Sequence, residues 1–151
     1  MHLNDLVVEV LTLVQLELET HQIALQIEML DGLPPVMAER VQLQQVLLNL
    51  IKNAVDAMSS ITDHNRVLAI KSERCESDKI LLTVEDSGTG IDPEHIGHIF
   101  DAFFTTKTHG MGMGLSICRS IIELHGGKLW ASARSPCGSR FCVKLPSIVP
   151  E

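Results

Sequence analysis

Two side-chain amides, Asn49 and Asn53, are the first candidates for chemistry in this 151-residue chain. They are four residues apart, so a helix would place both on one face, where they could share a ligand. A carboxamide oxygen is a reasonable ligand for Mg²⁺, which prefers oxygen and keeps several waters. The alternative is a solvated polar stripe, because Gln45 and Asp56 extend the same face.

A second candidate site is the run Asp86-Ser87-Gly88-Thr89-Gly90-Ile91, at the end of a predicted strand. The glycines at 88 and 90 would let the backbone approach a planar ligand closely. A buried carboxylate at Asp86 would accept a hydrogen bond from the exocyclic amine of adenine. Guanine presents a carbonyl at that place, and two acceptors would then face each other. A plain turn after a strand is an equally good interpretation of this motif alone.

A third run, Gly110-Met111-Gly112-Met113-Gly114-Leu115, places alternate glycines directly before a predicted helix. Backbone amides and a helix N-terminus together form a cradle that suits phosphate groups. The spacing is neither that of a P-loop nor that of a dinucleotide-binding turn. A flexible linker is the alternative, although it would not explain why the helix begins at the last glycine.

The apolar run Ile99-Phe100-Asp101-Ala102-Phe103-Phe104 lies inside the glycine-rich, polar segment 87–113. Loops of that length in a compact domain are usually functional or disordered. Apolar anchors in a polar loop indicate a lid that docks on the body of the domain. Ordinary packing beneath a long loop accounts for them equally well.

The elements that must position these motifs follow from the spacing of apolar residues. Helical spacing predicts helices over 4–20, 39–58 and 114–125, with Asn4 or Asp5 as the cap of the first. Alternation predicts a half-buried strand over 23–29, and further strands are predicted over 66–73, 79–86, 128–132 and 140–145. The order predicts a single α+β domain with helices on one face of a largely antiparallel sheet.

Composition excludes several other classes of protein. The formal charge of −7 argues against a nucleic-acid binder. No stretch approaches the roughly 20 apolar residues that span a bilayer, so we expect no direct membrane contact. The cysteines show no paired metal-binding spacing and are interpreted as reduced structural thiols in a cytoplasmic setting. They are Cys75, Cys118, Cys137 and Cys142.

Together and in this order the motifs resemble those of the GHKL ATPases, and within them the sensor histidine kinases. The likeness covers residues 4–146, and the run 105–127 looks closest to the nitrogen- and oxygen-sensing kinases. The matching stretches are 49–53 for the asparagine box, 86–90 for the first glycine box, 99–107 for the phenylalanine box, 110–115 for the second glycine box and 138–146 for the closing strand.

The resemblance implies a two-layer α/β sandwich, with three helices on a mixed, mostly antiparallel five-stranded sheet and ATP bound beneath segment 87–113. It implies that Asn53 coordinates Mg²⁺, Asp86 reads adenine and Lys107 reaches a terminal phosphate, with Asn49 and Lys107 as the catalytic pair. The residues expected at the nucleotide are Asn49, Asn53, Asp56, Asp86, Gly88, Gly90, Ile91, Phe103, Thr105, Thr106, Lys107, Gly110, Met111, Gly112, Met113, Gly114, Leu115 and Ser139.

Asn49 favours a kinase over a hydrolase. Hydrolases of this family carry a glutamate at that place, which acts as a general base on water. An asparagine cannot accept the proton, whereas a neutral imidazole is already nucleophilic and needs mainly positioning and charge neutralisation. Two alternatives stay open: a nucleotide-sensing module without catalysis, and a kinase that acts on a serine of a partner protein.

The phosphoacceptor is expected on another segment. None of the seven histidines has the helical context that the family gives to its substrate histidine. We therefore expect residues 1–151 to form one catalytic domain without a dimerisation or phosphoacceptor domain, monomeric alone. Its partners would be a histidine-bearing dimerisation domain and, downstream, a response regulator.

Overall fold

The computed structural model describes residues 1–101 and 114–148 of the chain. Its helices and strands are α1 (Leu3–Thr20), β1 (Ile23–Met29), α2 (Arg40–Met58), β2 (Arg66–Arg74), β3 (Lys79–Asp86), α3 (Gly114–Leu124), β4 (Lys128–Ala133) and β5 (Ser139–Pro146). These bounds lie within one or two residues of the predicted ones, because the apolar spacing is strong in every element.

The five strands form one mixed sheet in the order β1-β2-β3-β5-β4. The pair β1–β2 is parallel, whereas β2–β3, β3–β5 and β4–β5 are antiparallel. Parallel neighbours need a crossover connection, and α2 supplies it. The three helices and this mostly antiparallel sheet confirm the predicted α+β sandwich.

Helix α2 is the centre of the helical layer, since it packs against both other helices and against β3. Its buried residues recur every three or four positions, which forms one apolar stripe. Leu50 and Met58 on this stripe are fully buried. Asn49 and Asn53 lie at the edge of this stripe and are half-buried, so burial of the stripe fixes where those amides lie.

Two details differ from the sequence-based expectation. Asn4 does not cap α1, which begins one residue earlier. Its amide donates instead to the Leu30 carbonyl over 2.9 Å, and its oxygen accepts from Ser72 Oγ over 2.7 Å. Strand β1 buries fewer side chains than alternation predicts, because it lies at the sheet edge; Leu25 and Ile27 remain 38% and 47% exposed.

Helix α3 ends at the predicted glycine pair. Gly126 adopts a φ of +76°, and the Gly127 amide donates to the Ile122 carbonyl over 2.9 Å. This is the glycine-dependent helix end that the sequence indicates. His125 then links α3 to the start of α2, because its Nε2 accepts a hydrogen bond from the Glu39 amide over 3.0 Å.

Within residues 1–101 and 114–148, none of the helices combines the length and the apolar character needed to cross a bilayer.

Candidate nucleotide site

The carboxylate of Asp86 lies at the end of β3 and is almost completely buried, with 1% of the residue exposed. The antiparallel register places Asp86 directly opposite Ser139, the first residue of β5. Ser139 Oγ donates to Asp86 Oδ2 over 2.7 Å, and the Gly88 amide donates to Oδ1 over 2.9 Å. These bonds fix the orientation of the carboxylate, and each oxygen keeps further capacity to accept a donor.

Burial raises the pKa of Asp86 above its ordinary value of 3.8, because desolvation disfavours the charged form. The hydrogen bonds from Ser139 and Gly88 and the positive charge of Arg134 act in the opposite direction. The folded protein therefore holds a carboxylate whose burial is unfavourable. A hydrogen-bond donor on a ligand would offset part of this free-energy cost.

Two glycines let neighbouring segments close around this strand end. A Cβ on Gly88 would lie 2.5 Å from the Ala57 carbonyl oxygen, and one on Gly138 would lie 1.8 Å from the carbonyl oxygen of Asp86. The Thr89 amide also donates to the Ala57 carbonyl over 3.1 Å. Position 88 therefore needs a glycine because the last turn of α2 packs against it. The sequence motif did not reveal this contact within the protein.

Helix α2 extends from this contact toward the predicted phosphate-binding residues. Asn53 and Asn49 lie one and two turns before Ala57, which corresponds to about 6 and 12 Å along the helix axis. Both asparagines are half-buried, whereas Asp56 is exposed. The Asn49 amide donates from Nδ2 to the sulfur of Cys118 on α3 over 3.6 Å.

A groove of about 420 Å³ opens between α1 and α2 on the side of Asn49. Lys52 and Asn49 line it together with apolar side chains such as Leu48 and Val14. The polar side chains of α2 that line this groove are therefore accessible to a ligand or a partner protein.

The beginning of the predicted lid docks on the body of the domain. Ile99 is buried, and the ring of Phe100 meets that of Phe141 edge-on, with centroids 6.3 Å apart at 85°. The guanidinium of Arg119 on α3 lies 5.4 Å from the centroid of Phe100. Ile91 also packs against the core. Up to Asp101, the apolar residues therefore pack against the domain, which both the lid interpretation and ordinary packing beneath a loop predict.

Not every predicted site residue can be located. Gly114 and Leu115 begin α3, with Gly114 exposed and Leu115 packed against the core. The remaining predicted residues lie outside the part of the chain that the structure describes: Phe103, Thr105, Thr106, Lys107, Gly110, Met111, Gly112 and Met113.

Two supporting residues had no recognisable signal in the sequence. Ser87 Oγ donates to the Asn65 carbonyl over 2.9 Å and accepts from the Val67 amide over 2.8 Å. The Ser87 carbonyl in turn accepts from His64 Nε2 over 2.7 Å. These contacts hold the turn after Asp86 against the loop between α2 and β2, and they depend on packing between distant segments.

A family match, named relatives and solved structures all relate this chain to histidine kinases. Residues 38–148 match the family described as "Histidine kinase-, DNA gyrase B-, and HSP90-like ATPase". The sensor histidine kinase TmoS of Ectopseudomonas mendocina is 37% identical over 145 residues, which is 95% of this chain and 15% of TmoS. The sensor protein FixL of Bradyrhizobium diazoefficiens is 45% identical over 116 residues, which is 77% of this chain and 23% of FixL.

Among solved structures, the catalytic domain of histidine kinase ThkA superposes with a TM-score of 0.85 at 36% identity. The match covers 97% of this chain and 95% of that domain. By contrast, the chain spans less than a quarter of the length of TmoS and FixL.

The buried carboxyl group gives a pH-dependent prediction. Because the folded state raises the pKa of Asp86, its contribution to stability is full below its ordinary pKa and is lost as pH rises through the raised value. Replacing Asp86 with Asn removes this loss. The difference in free energy of unfolding, variant minus wild type, should therefore increase as the pH rises above the ordinary pKa of 3.8.

Urea denaturation of the nucleotide-free chain at several pH values measures this difference. Asp31→Asn, at an exposed position, serves as the control. A difference for Asp86→Asn that shrinks as pH rises would contradict the assignment of a buried, disfavoured charge.

Proposed function

This chain belongs to the family of histidine kinase-, DNA gyrase B- and HSP90-like ATPases, as a histidine kinase catalytic domain, and we propose that it transfers the γ-phosphate of Mg-ATP to a histidine outside the chain. The observation that carries the proposal is the Asp86 carboxylate, buried and oriented by Ser139 and Gly88. A site of this kind needs a ligand that brings its own hydrogen-bond donor.

Adenine suits this requirement. Its exocyclic amine would donate to the remaining acceptor capacity of Asp86. Guanine would place a carbonyl oxygen against the carboxylate, which leaves two buried acceptors facing each other. The site would therefore select ATP over GTP by a hydrogen bond rather than by shape.

The phosphates would extend from Asp86 along α2 toward Asn53 and Asn49. Among residues 1–101 and 114–148, no group of three or more His, Cys, Asp or Glu side chains is arranged to hold a metal ion. Mg²⁺ would take the carbonyl oxygen of Asn53 as a protein ligand and complete its shell with phosphate and water oxygens. Bound there, Mg²⁺ neutralises charge on the phosphate groups.

Asn49 supports transfer rather than hydrolysis, because a carboxamide cannot accept a proton from water. In the proposed reaction an imidazole nitrogen forms a bond to the γ-phosphorus while the bond to the bridging oxygen breaks. ADP leaves, and the imidazole ring loses its proton to solvent. Asn49 then acts by positioning, and Lys107 is proposed to stabilise the charge of the transferred group.

The remaining predicted contacts belong to the same proposal. The backbone of residues 110–114 would wrap the phosphates, while Phe103, Thr105 and Thr106 would complete the lid. We propose a histidine-bearing dimerisation domain and a response regulator as partners, in the cytoplasm. The ThkA kinase, 36% identical in its matching region, has been solved in complex with the response regulator TrrA, which supports this assignment.

Calorimetric titration of the chain with Mg-ATP and, separately, Mg-GTP tests whether the buried Asp86 carboxylate binds adenine. We expect ATP to bind and GTP to bind far more weakly. Asp86→Asn should cost about 1–3 kcal/mol of ATP binding, or roughly ten- to a hundredfold in affinity. Unchanged affinity in this variant would remove Asp86 from the adenine site, and binding of neither nucleotide would contradict the proposal.

The metal assignment predicts a dependence on Mg²⁺ for a second variant. Asn53→Ala removes the proposed oxygen ligand, so ATP affinity should fall mainly when Mg²⁺ is present. Titrations with Mg²⁺ and with EDTA measure the two cases, and Gln42→Ala on the exposed first turn of α2 is the control. Equal losses with and without the metal would rule out Asn53 as the ligand.

The nature of the phosphoacceptor can be read from the stability of the product. The chain is incubated with radiolabelled Mg-ATP and a separately produced histidine-bearing dimerisation segment of a sensor histidine kinase. We expect label on that segment that is stable in alkali and lost in acid, as for a phosphorus–nitrogen bond. A segment with its histidine replaced by glutamine should stay unlabelled.

Two other results would each favour a different function. Label that survives acid but not alkali would indicate transfer to serine. Tight ATP binding without any label would indicate a nucleotide-sensing module.

A further inference from the structure

We infer that Cys118 is a positioning residue for the reaction: its sulfur orients the carboxamide of Asn49 toward the bound phosphates. The inference rests on the proposed function, because it assigns to Asn49 the place beside the phosphates. It adds a residue that has no nucleotide contact of its own and lies on a different helix.

The sulfur of Cys118 lies in the interface between α2 and α3, where the residue has no exposed surface. It is 3.6 Å from Asn49 Nδ2 and 3.8 Å from the Val46 carbonyl oxygen, one turn earlier on α2. Burial raises the pKa of Cys118 to about 11, so the group is a neutral thiol at physiological pH. A single side chain of α3 thus contacts both the backbone of α2 and its functional amide.

The two contacts of this thiol define which end of the Asn49 amide faces it. The S–H group donates to the Val46 carbonyl, which leaves the sulfur lone pairs for an N–H donor. Asn49 therefore turns its nitrogen toward Cys118 and its carbonyl oxygen away. One N–H of the amide and the carbonyl oxygen stay available for a phosphate oxygen and for a donor or cation.

An asparagine that positions a ligand needs a hydrogen-bond partner that fixes the orientation of its carboxamide. Its terminal torsion is broad and roughly two-fold, so the side chain alone does not select one orientation. Within the part of the chain that the structure describes, the hydrogen bond to Cys118 is the one recorded for the Asn49 side chain. Because α3 begins at Gly114, within the predicted phosphate-binding run, a displacement of α3 would also change the orientation of Asn49.

A double-mutant cycle on ATP binding tests this link. In the wild-type background, Cys118→Ala should lower the affinity for Mg-ATP about three- to tenfold, since the amide loses its fixed orientation. In the Asn49→Ala background the same substitution should have less than about a twofold effect. Calorimetric titration of the four proteins measures the coupling.

Two further variants separate positioning from general damage to the fold. Cys142→Ala removes another buried thiol, on β5, and should leave ATP affinity unchanged. Cys118→Ser keeps a donor and an acceptor at the site, so it should retain most of the affinity that Cys118→Ala loses. If the alanine variant does not fold, the cycle is run with Cys118→Val, which has a similar volume but no polar atom.

The outcomes distinguish this inference from the proposed function. Equal losses in both backgrounds, or a serine variant as weak as the alanine variant, would overturn the positioning role while ATP binding by the wild type upholds the nucleotide site. A wild-type chain that binds no ATP would overturn both the positioning role and the proposed function. Coupling that disappears with Asn49, together with rescue by serine, would support the positioning role and the nucleotide site.

Discussion

The buried charge of Asp86 is the constraint on which the arrangement of this end of the sheet depends. A carboxylate with 1% exposure is costly unless donors surround it. The register of β3 and β5 supplies one donor, Ser139, and the turn that follows supplies another, the Gly88 amide. A slip of one residue in that register would move Ser139 to the other face of the sheet and leave Oδ2 without its hydroxyl donor.

Strand alternation separates this charge from a second electrostatic cluster. Glu85 points to the face of the sheet without helices, where Arg134 and Arg140 pair with it over 3.2 and 2.6 Å. These pairs are only partly buried and contribute little to stability individually. Arg134 nevertheless lowers the pKa of Asp86 and so helps to keep it ionised. Of these surface charges, Arg134 therefore favours the ionised form of Asp86 and offsets part of the effect of its burial.

The sequence predicted the elements well and the contacts between them poorly. Helical and alternating periods reflect local geometry, so the bounds, the helix stop at Gly126 and the polar face of α2 could all be predicted. Asn4 was expected to cap a helix but bonds Leu30 and Ser72 instead. Cys118 gave no signal, because its partner Asn49 is brought close only by packing of α3 on α2. The spacing of residues along the chain does not predict such contacts between distant segments.

The parallel pairing of β1 with β2 also bears on the order in which the molecule folds. The pairs β2–β3 and β4–β5 join neighbouring strands through short turns and are expected to form early. Strand β1 can pair only after residues 30–65 have crossed the sheet, which requires closing a much longer loop. Asn49 and Asn53 lie on that crossover. An incompletely folded chain therefore has only the half of the candidate site around Asp86, and nucleotide would bind to and stabilise the finished fold alone.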